Sequence, residues 1–249
     1  MSPLTLQAPA KINLTLDILG TRPDGYHEMD MVMQSVSLCD EITLDLGSPG
    51  GIRAESGLRF LPNDKGNLAV AAAVLRGLND LTGAGLDREA LARIGQEVGS
   101  DVPYCVLGGT ALARGRGEIL TPLPSLPPCH IVLCKPAFSI STPALFRAWD
   151  KKKRRLRPDT NGMLEALAQG DLVGVGRRMF NVFEGVLNPQ QRREIESIKN
   201  ALIQAGALGA AMSGSGPTVL GLFDREDLAG EAVRQLRKTY DEVFLTQPV

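Results

Sequence analysis

A chain of 249 residues, 43% hydrophobic and 22% charged, can bury a real core in one large domain or in two of about 100 to 150 residues each. Its 27 Lys plus Arg stand against 28 Asp plus Glu, which leaves no global field of the kind that draws a protein to nucleic acid or anionic lipid. The start lacks a basic stretch followed by an apolar run, and no segment reaches the ~18 to 20 apolar residues that span a bilayer, so a cytoplasmic protein without membrane association is expected.

From Ile12 the apolar residues fall on every second position (Ile12, Leu14, Leu16, Ile18), which predicts a half-buried strand whose other face carries Lys11, Asn13, Thr15 and Asp17. A strand lysine ordinarily points to solvent, so what Lys11 does depends on what else the chain brings to it. In "GTRPDGYHEMD" Gly20, Pro23, Asp24 and Gly25 signal a turn, and "MVMQSVSLCDEITLDL" returns as an antiparallel strand. Leu68, Ala71, Ala72, Leu75 and Leu78 are spaced for a helix over 66–80, and Leu91, Ile94 and Val98 for a second one beside it. Ser100 is placed to cap a short helical turn containing Pro103, which Gly108 and Gly109 end before a strand over 110–113. "LTPLPSLPP" over 120–128 is the candidate linker, dividing the chain into 1–124 and 125–249.

Beyond it "HIVLCKP" reads as a buried strand and "SISTPALF" as a helix start, with Ser141 or Thr142 as cap and Pro143 in the first turn. "KKKRRLRPD" is the one strongly basic stretch; a solvated loop is the plainer reading, and steering of a polyanionic substrate the alternative. Helical patterns return over 164–167 and 172–183, and a better marked one runs from Asn188 and Pro189 through Ile195, Ile198 and Leu202 to Gly206. "MSGSGPTVLGLF" is a glycine-rich loop, with no strand expected before it, leading into a strand; a helix over 228–240 and a strand "EVFLTQP" complete the chain. The order predicts an α+β fold: an N-terminal mixed α/β domain, then an antiparallel sheet with helices on one face. Cys39, Cys105, Cys129 and Cys134 form no Cys-x-x-Cys pair and no zinc-type spacing with His27 and His130, so they are expected as reduced, mostly buried thiols.

"SGSGPT" lacks the lysine of a P-loop, and by itself reads as a hairpin-like connection. Its two hydroxyls and two glycines nonetheless leave backbone N–H groups free to face an anion. Asp101 falls in a first helical turn, where the dipole stabilises a carboxylate by ~0.3 to 1 kcal/mol. So held, it is a poor base unless a dry site brings it a lysine and a substrate hydroxyl.

Three blocks, "PAKINLTLDILGTRPDGYHEMDMVMQSVSLCDEI", "GSDVPYCVLGGTALARGRGEIL" and "GAAMSGSGPTVLGLF", resemble the GHMP kinase superfamily over nearly the whole chain. "DGYHEM" is similar to the branch that acts on 4-diphosphocytidyl-2-C-methyl-D-erythritol in the non-mevalonate isoprenoid pathway. The resemblance implies a two-domain GHMP kinase fold and transfer of the ATP γ-phosphoryl group to the 2-hydroxyl of that alcohol, with Mg2+. It implies Lys11 and Asp101 as the catalytic pair. Asn13, Tyr26, His27, Thr142 and Phe146 match substrate-binding positions, with Tyr26 stacking on the base; Ser213, Gly214 and Gly216 match the third motif that lines the site. Asn67 matches a residue near the adenine. No metal ligand is assigned, and a monomer or weak homodimer is expected.

The chain departs from the family in one block. "NLAV" runs straight into "AAAVLRGLND", where members carry an extra strand and a glycine-rich loop that wraps the ATP phosphates. Either residues are missing from the sequence as read, which a Cα to Cα distance well above ~3.8 Å between Val70 and Val74 would mark, or the loop is truly deleted. A loss confined to one glycine-rich, ligand-ordered loop favours the first. Two rivals stay open: another GHMP small-molecule kinase, which gives no reason for Tyr26 and His27, and a catalytically dead protein that keeps the cytidine pocket.

Overall fold

The structure, a computed structural model, describes residues 3–47, 67–153 and 156–249. Arg154 and Arg155 of the basic run lie outside them. Strands β1 (Leu4–Thr21) and β2 (His27–Leu44) form a long antiparallel hairpin closed by the Pro23–Gly25 turn, as the turn residues predict. Helices α1 (Leu68–Thr82), α2 (Arg88–Gln96) and α3 (Val102–Leu107) follow, then the strands β3 (Thr110–Gly115) and β4 (Ile119–Pro122). The proline-rich segment is anchored rather than loose: Leu123 donates its N–H to the Thr110 carbonyl, and Leu126 is buried.

The second half begins with β5 (His130–Lys135) and helices α4 (Thr142–Asp150), α5 (Thr160–Gln169) and α6 (Leu172–Arg178). The helix expected over 172–183 stops at Arg178, because Phe180–Asn181 forms a short strand, β6, parallel to β1 at Thr15 and Leu16. The chain thus returns to the first sheet, whose order is β4-β3-β2-β1-β6. A 3-10 turn (Val182–Val186) leads to α7 (Pro189–Gln204), which opens on a capping box: Asn188 accepts from the Gln191 N–H, and Gln191 reaches back. β7 (Gly209–Met212), β8 (Val219–Phe223), α8 (Glu226–Leu236) and β9 (Glu242–Thr246) complete a second, antiparallel sheet in the order β7-β8-β5-β9. β7 corrects the expectation that the glycine-rich loop has no strand before it; residues 213–218 join β7 to β8.

The predicted alternation of β1 is also corrected. Register shifts between Pro9 and Lys11 and between Asn13 and Thr15 break the period, and one such slip exchanges the faces. Ile12 and Leu14 therefore join one core, with Ile131, Leu133 and Leu220 of the second sheet and Met163 and Val175 of α5 and α6. Leu16 and Ile18 join the other, with Val132, Trp149, Phe183 and the inner faces of α7 and α8. Both sides of β1 are covered, so Asn13, Thr15 and Asp17 are buried rather than solvent-facing. No helix of the described residues is long and apolar enough to cross a membrane.

The join at residues 67–74 is ordinary helix. Asn67 caps α1 by accepting from the Val70 N–H, its carbonyl accepts from Ala71, and the helix runs unbroken from Leu68 to Thr82.

Candidate active site

Lys11 leaves β1 beside the first bulge and meets Asp101 at the start of α3, with Nζ 3.1 Å from Oδ2; the two side chains are 25% and 28% exposed. Asp101, not Ser100, holds the N-cap position of α3, with Pro103 in the first turn, yet its side chain makes no capping bond. Oδ2 is turned to the lysine instead. Lys11 Nζ also donates to Asn13 Oδ1 at 3.2 Å, and Asn13 gives its backbone N–H to Ser213 Oγ at 3.2 Å. Four sequence-predicted residues from β1, α3 and the β7–β8 loop thus meet at one point.

Lys11, Asp101 and Ser213 line a cleft of about 610 Å³ between the two sheets, shared with Gly214, Ser215 and Gly216 from the loop and with Lys135, Glu242 and Phe244 from the second sheet. Gly216 has φ +73°, and a Cβ there would stand 2.4 Å from Met212 Sδ, so the loop needs glycine on two grounds. Thr142, at the start of α4, donates to Ser215 Oγ at 2.9 Å, which ties the predicted substrate contact to the loop.

The residues that the family resemblance matches to base binding divide. His27 stacks on Phe146 with ring centroids 4.4 Å apart, and its Nε2 lies 2.8 Å from Asp150 Oδ1; Phe146 in turn sets its ring edgewise against Phe183. Tyr26 is 56% exposed, and the Arg116 guanidinium lies 4.9 Å over its ring. That leaves Tyr26 presenting an aromatic surface from the hairpin turn. Asn67 is not brought to the cleft: its Nδ2 donates to Asp40 Oδ2 at 3.1 Å while its Oδ1 caps α1.

Two contributors were not singled out from the sequence. Asn181, buried on β6, donates from Nδ2 to the carbonyls of Met212 (2.7 Å) and Gly214 (2.8 Å) and accepts from the Phe183 N–H. It fixes the floor of the glycine-rich loop. Gly117, in the β3–β4 turn, has φ +122°, and a Cβ there would approach Asp101 Oδ1 to 3.1 Å. Gly117→Ala is expected to lower turnover by about ten- to a hundredfold, since a strained turn pressing on the carboxylate misplaces it by a fraction of an ångström; initial rates at saturating substrate, measured beside a thermal melt, check this. Cys105, one helical turn from Asp101, is no rival nucleophile, because burial pushes its thiol up to about 11.

A cation and an acid in contact beside a hydroxyl- and glycine-lined loop, in a cleft between two sheets, accompany a chain whose two halves match the GHMP small-molecule kinases. Residues 69–109 match the sequence profile of the GHMP kinases N terminal domain, and residues 163–242 that of the GHMP kinases C terminal domain. The chain belongs to the 4-diphosphocytidyl-2-C-methyl-D-erythritol kinase family. It is 40% identical to the protein of that name from Exiguobacterium sibiricum (98% of this chain, 97% of the relative) and 39% identical to that from Brevibacillus brevis (98% and 96%). A crystal structure of 4-(cytidine 5'-diphospho)-2C-methyl-D-erythritol kinase matches with TM-score 0.79 and 29% identity over 98% of this chain and 99% of that one. The homoserine kinase of Cytophaga hutchinsonii, with TM-score 0.70 and 19% identity over 99% of this chain and 95% of that one, shares the fold. The alignment with the Exiguobacterium protein extends over 280 positions, more than the 249 residues of this chain, so this chain is the shorter of the two within the aligned span.

Proposed function

We propose that the protein transfers the γ-phosphoryl group of ATP to the 2-hydroxyl of 4-diphosphocytidyl-2-C-methyl-D-erythritol. The observation that carries this reading is the 3.1 Å contact of Lys11 and Asp101 in a cleft that the glycine-rich loop also lines. Asp101 accepts the proton of the substrate hydroxyl as its oxygen forms the new bond to phosphorus and the bond to the β-phosphate oxygen breaks, releasing ADP. Lys11 keeps the carboxylate oriented and offsets negative charge, in a reaction that asks mainly for positioning and electrostatics. Asn13 orients Lys11 and carries the loop on its backbone N–H.

Magnesium fits the cleft as a passenger of the nucleotide. Among the described residues no three acidic, histidine or cysteine side chains gather, and a cation that keeps several waters needs few protein ligands. The hydroxyls of Ser213 and Ser215 are the neutral oxygens that it would meet, and bound there it would neutralise phosphate charge.

Tyr26 and the His27–Phe146 stack supply aromatic surface for the cytosine, and Thr142 a hydroxyl beside the loop. Tyr26→Ala is expected to weaken binding of the cytidylyl alcohol by ~1 to 3 kcal/mol through lost stacking, measured by calorimetry; unchanged affinity would put the base elsewhere. We read the chain as two lobes, 1–124 and 125–249, in a cytoplasmic monomer or weak homodimer. Comparing phosphorylation of the cytidylyl alcohol with that of homoserine and mevalonate tests the whole reading: preference for either of the latter would sink it.

A further inference from the structure

We infer that Lys135 is a phosphate-binding residue of this enzyme, taking a phosphate of one of its two nucleotide substrates from the second-sheet side of the cleft. The inference rests on the function proposed above and adds a residue that the motifs do not contain.

Among the described residues the charged side chains lining the cleft are Lys11, Asp101, Lys135 and Glu242, which cancel in pairs. ATP and a nucleoside diphosphate ester bring several negative charges to such a site. Lys11 is committed to Asp101 and Asn13, and Lys135, the other lining cation among the described residues, pairs with Glu242. It ends β5 directly across from Glu242 on β9, with Nζ 2.6 Å from Oε2 and side chains 33% and 20% exposed. The same pair also lines an adjoining cavity of about 440 Å³ that reaches Pro217, behind the glycine-rich loop. The ammonium therefore stands where a phosphate held by that loop would lie within the swing of a four-carbon stem.

The loop itself is prepared to share an anion. Ser213 and Gly216 spend their N–H groups on the carbonyls of Thr218 and Ser213, while among the described residues the N–H groups of Gly214 and Ser215 donate to no backbone carbonyl. Those two donors supply direction but no net charge, and the lysine supplies the charge. A cross-strand ion pair with no further role would make a different prediction: loss of either partner would act alike on stability and leave nucleotide binding untouched.

The test is calorimetry on the full chain in magnesium buffer with two probes, a non-hydrolysable ATP analogue and cytidine diphosphate, for the wild type, Lys135→Met and Glu242→Gln. Lys135→Met is expected to weaken one probe by about tenfold or more, the loss of a charge-assisted hydrogen bond, and to leave the other within about twofold; the affected probe names the substrate. Glu242→Gln is expected to bind that same probe at least as tightly as the wild type, since it removes a competing carboxylate. Lys135→Gln serves if the methionine variant does not fold. Unchanged binding in Lys135→Met, equal weakening of both probes, or weakening by both variants alike overturns the role of Lys135. If the wild type still phosphorylates the cytidylyl alcohol, the proposed function survives that outcome. A wild type that binds neither probe overturns both.

Discussion

Asp101→Asn is expected to lower turnover by about two to four orders of magnitude while leaving affinity for the cytidylyl alcohol within about tenfold. The amide keeps the shape of the carboxylate, but it no longer takes a proton at the attacking hydroxyl. The capping position gives α3 no reason to unwind, since Asp101 makes no side-chain capping bond to lose. Lys11 loses its ion pair at a point where it is 25% exposed, so solvent takes up part of the charge. The effect should therefore fall on kcat and not on the thermal melt. Steady-state kinetics with the purified variant, beside calorimetry for the alcohol, decide it; a variant with native turnover would remove Asp101 from the base role.

The second large effect concerns stability and reaches the site indirectly. Asn181→Ala deletes three hydrogen bonds at a side chain that is 2% exposed, leaving the carbonyls of Met212 and Gly214 and the N–H of Phe183 short of a partner. Each buried polar group so stranded costs about 1 to 3 kcal/mol, so a loss of about 3 kcal/mol or more is expected. For a chain of this size that lowers the melting temperature by roughly 6 to 12 °C. Turnover should fall as well, because the carbonyl of Gly214 that Asn181 grips belongs to the loop lining the cleft. A variant melting within about 2 °C of the wild type would show that water replaces the amide and that Asn181 is not the holder of the loop.

The chemistry was more legible in the sequence than the architecture around it. Lys11, Asp101 and Ser213 stand in motifs that single them out in the sequence, and the structure brings them together through Asn13. The hairpin turn and the Asn188 cap were equally readable, because turn and cap residues act locally. What could not be read depends on distant contacts. A bulge leaves no trace in a count of alternating residues, so Ile12 and Leu16 looked like one face and serve two cores. β6 has two residues and hence no period, and it exists only because β1 offers it an edge. β7, with its sequence GAAM, lacks the branched side chains of a strand. Its small residues serve instead to let backbones touch: a Cβ on Gly209 would lie 2.0 Å from the Gly176 carbonyl oxygen of α6. The family's glycine-rich loop is missing between "NLAV" and "AAAVLRGLND", a departure legible in the sequence, and at that place the helix runs unbroken from Leu68 to Thr82.

The return of β6 to the first sheet has a consequence for biosynthesis. Lys11 leaves the ribosome well before the strand that flanks its own and the amide that secures the loop opposite it, which arrive only with Asn181, and the loop comes later still. The nascent β1–β2 hairpin must wait with one border open and one of its two cores uncovered until the chain from Leu44 to Asn181 has been translated. Such long-separation pairing makes maturation slow and exposes the newborn chain to sticking, which is where a chaperone would find it.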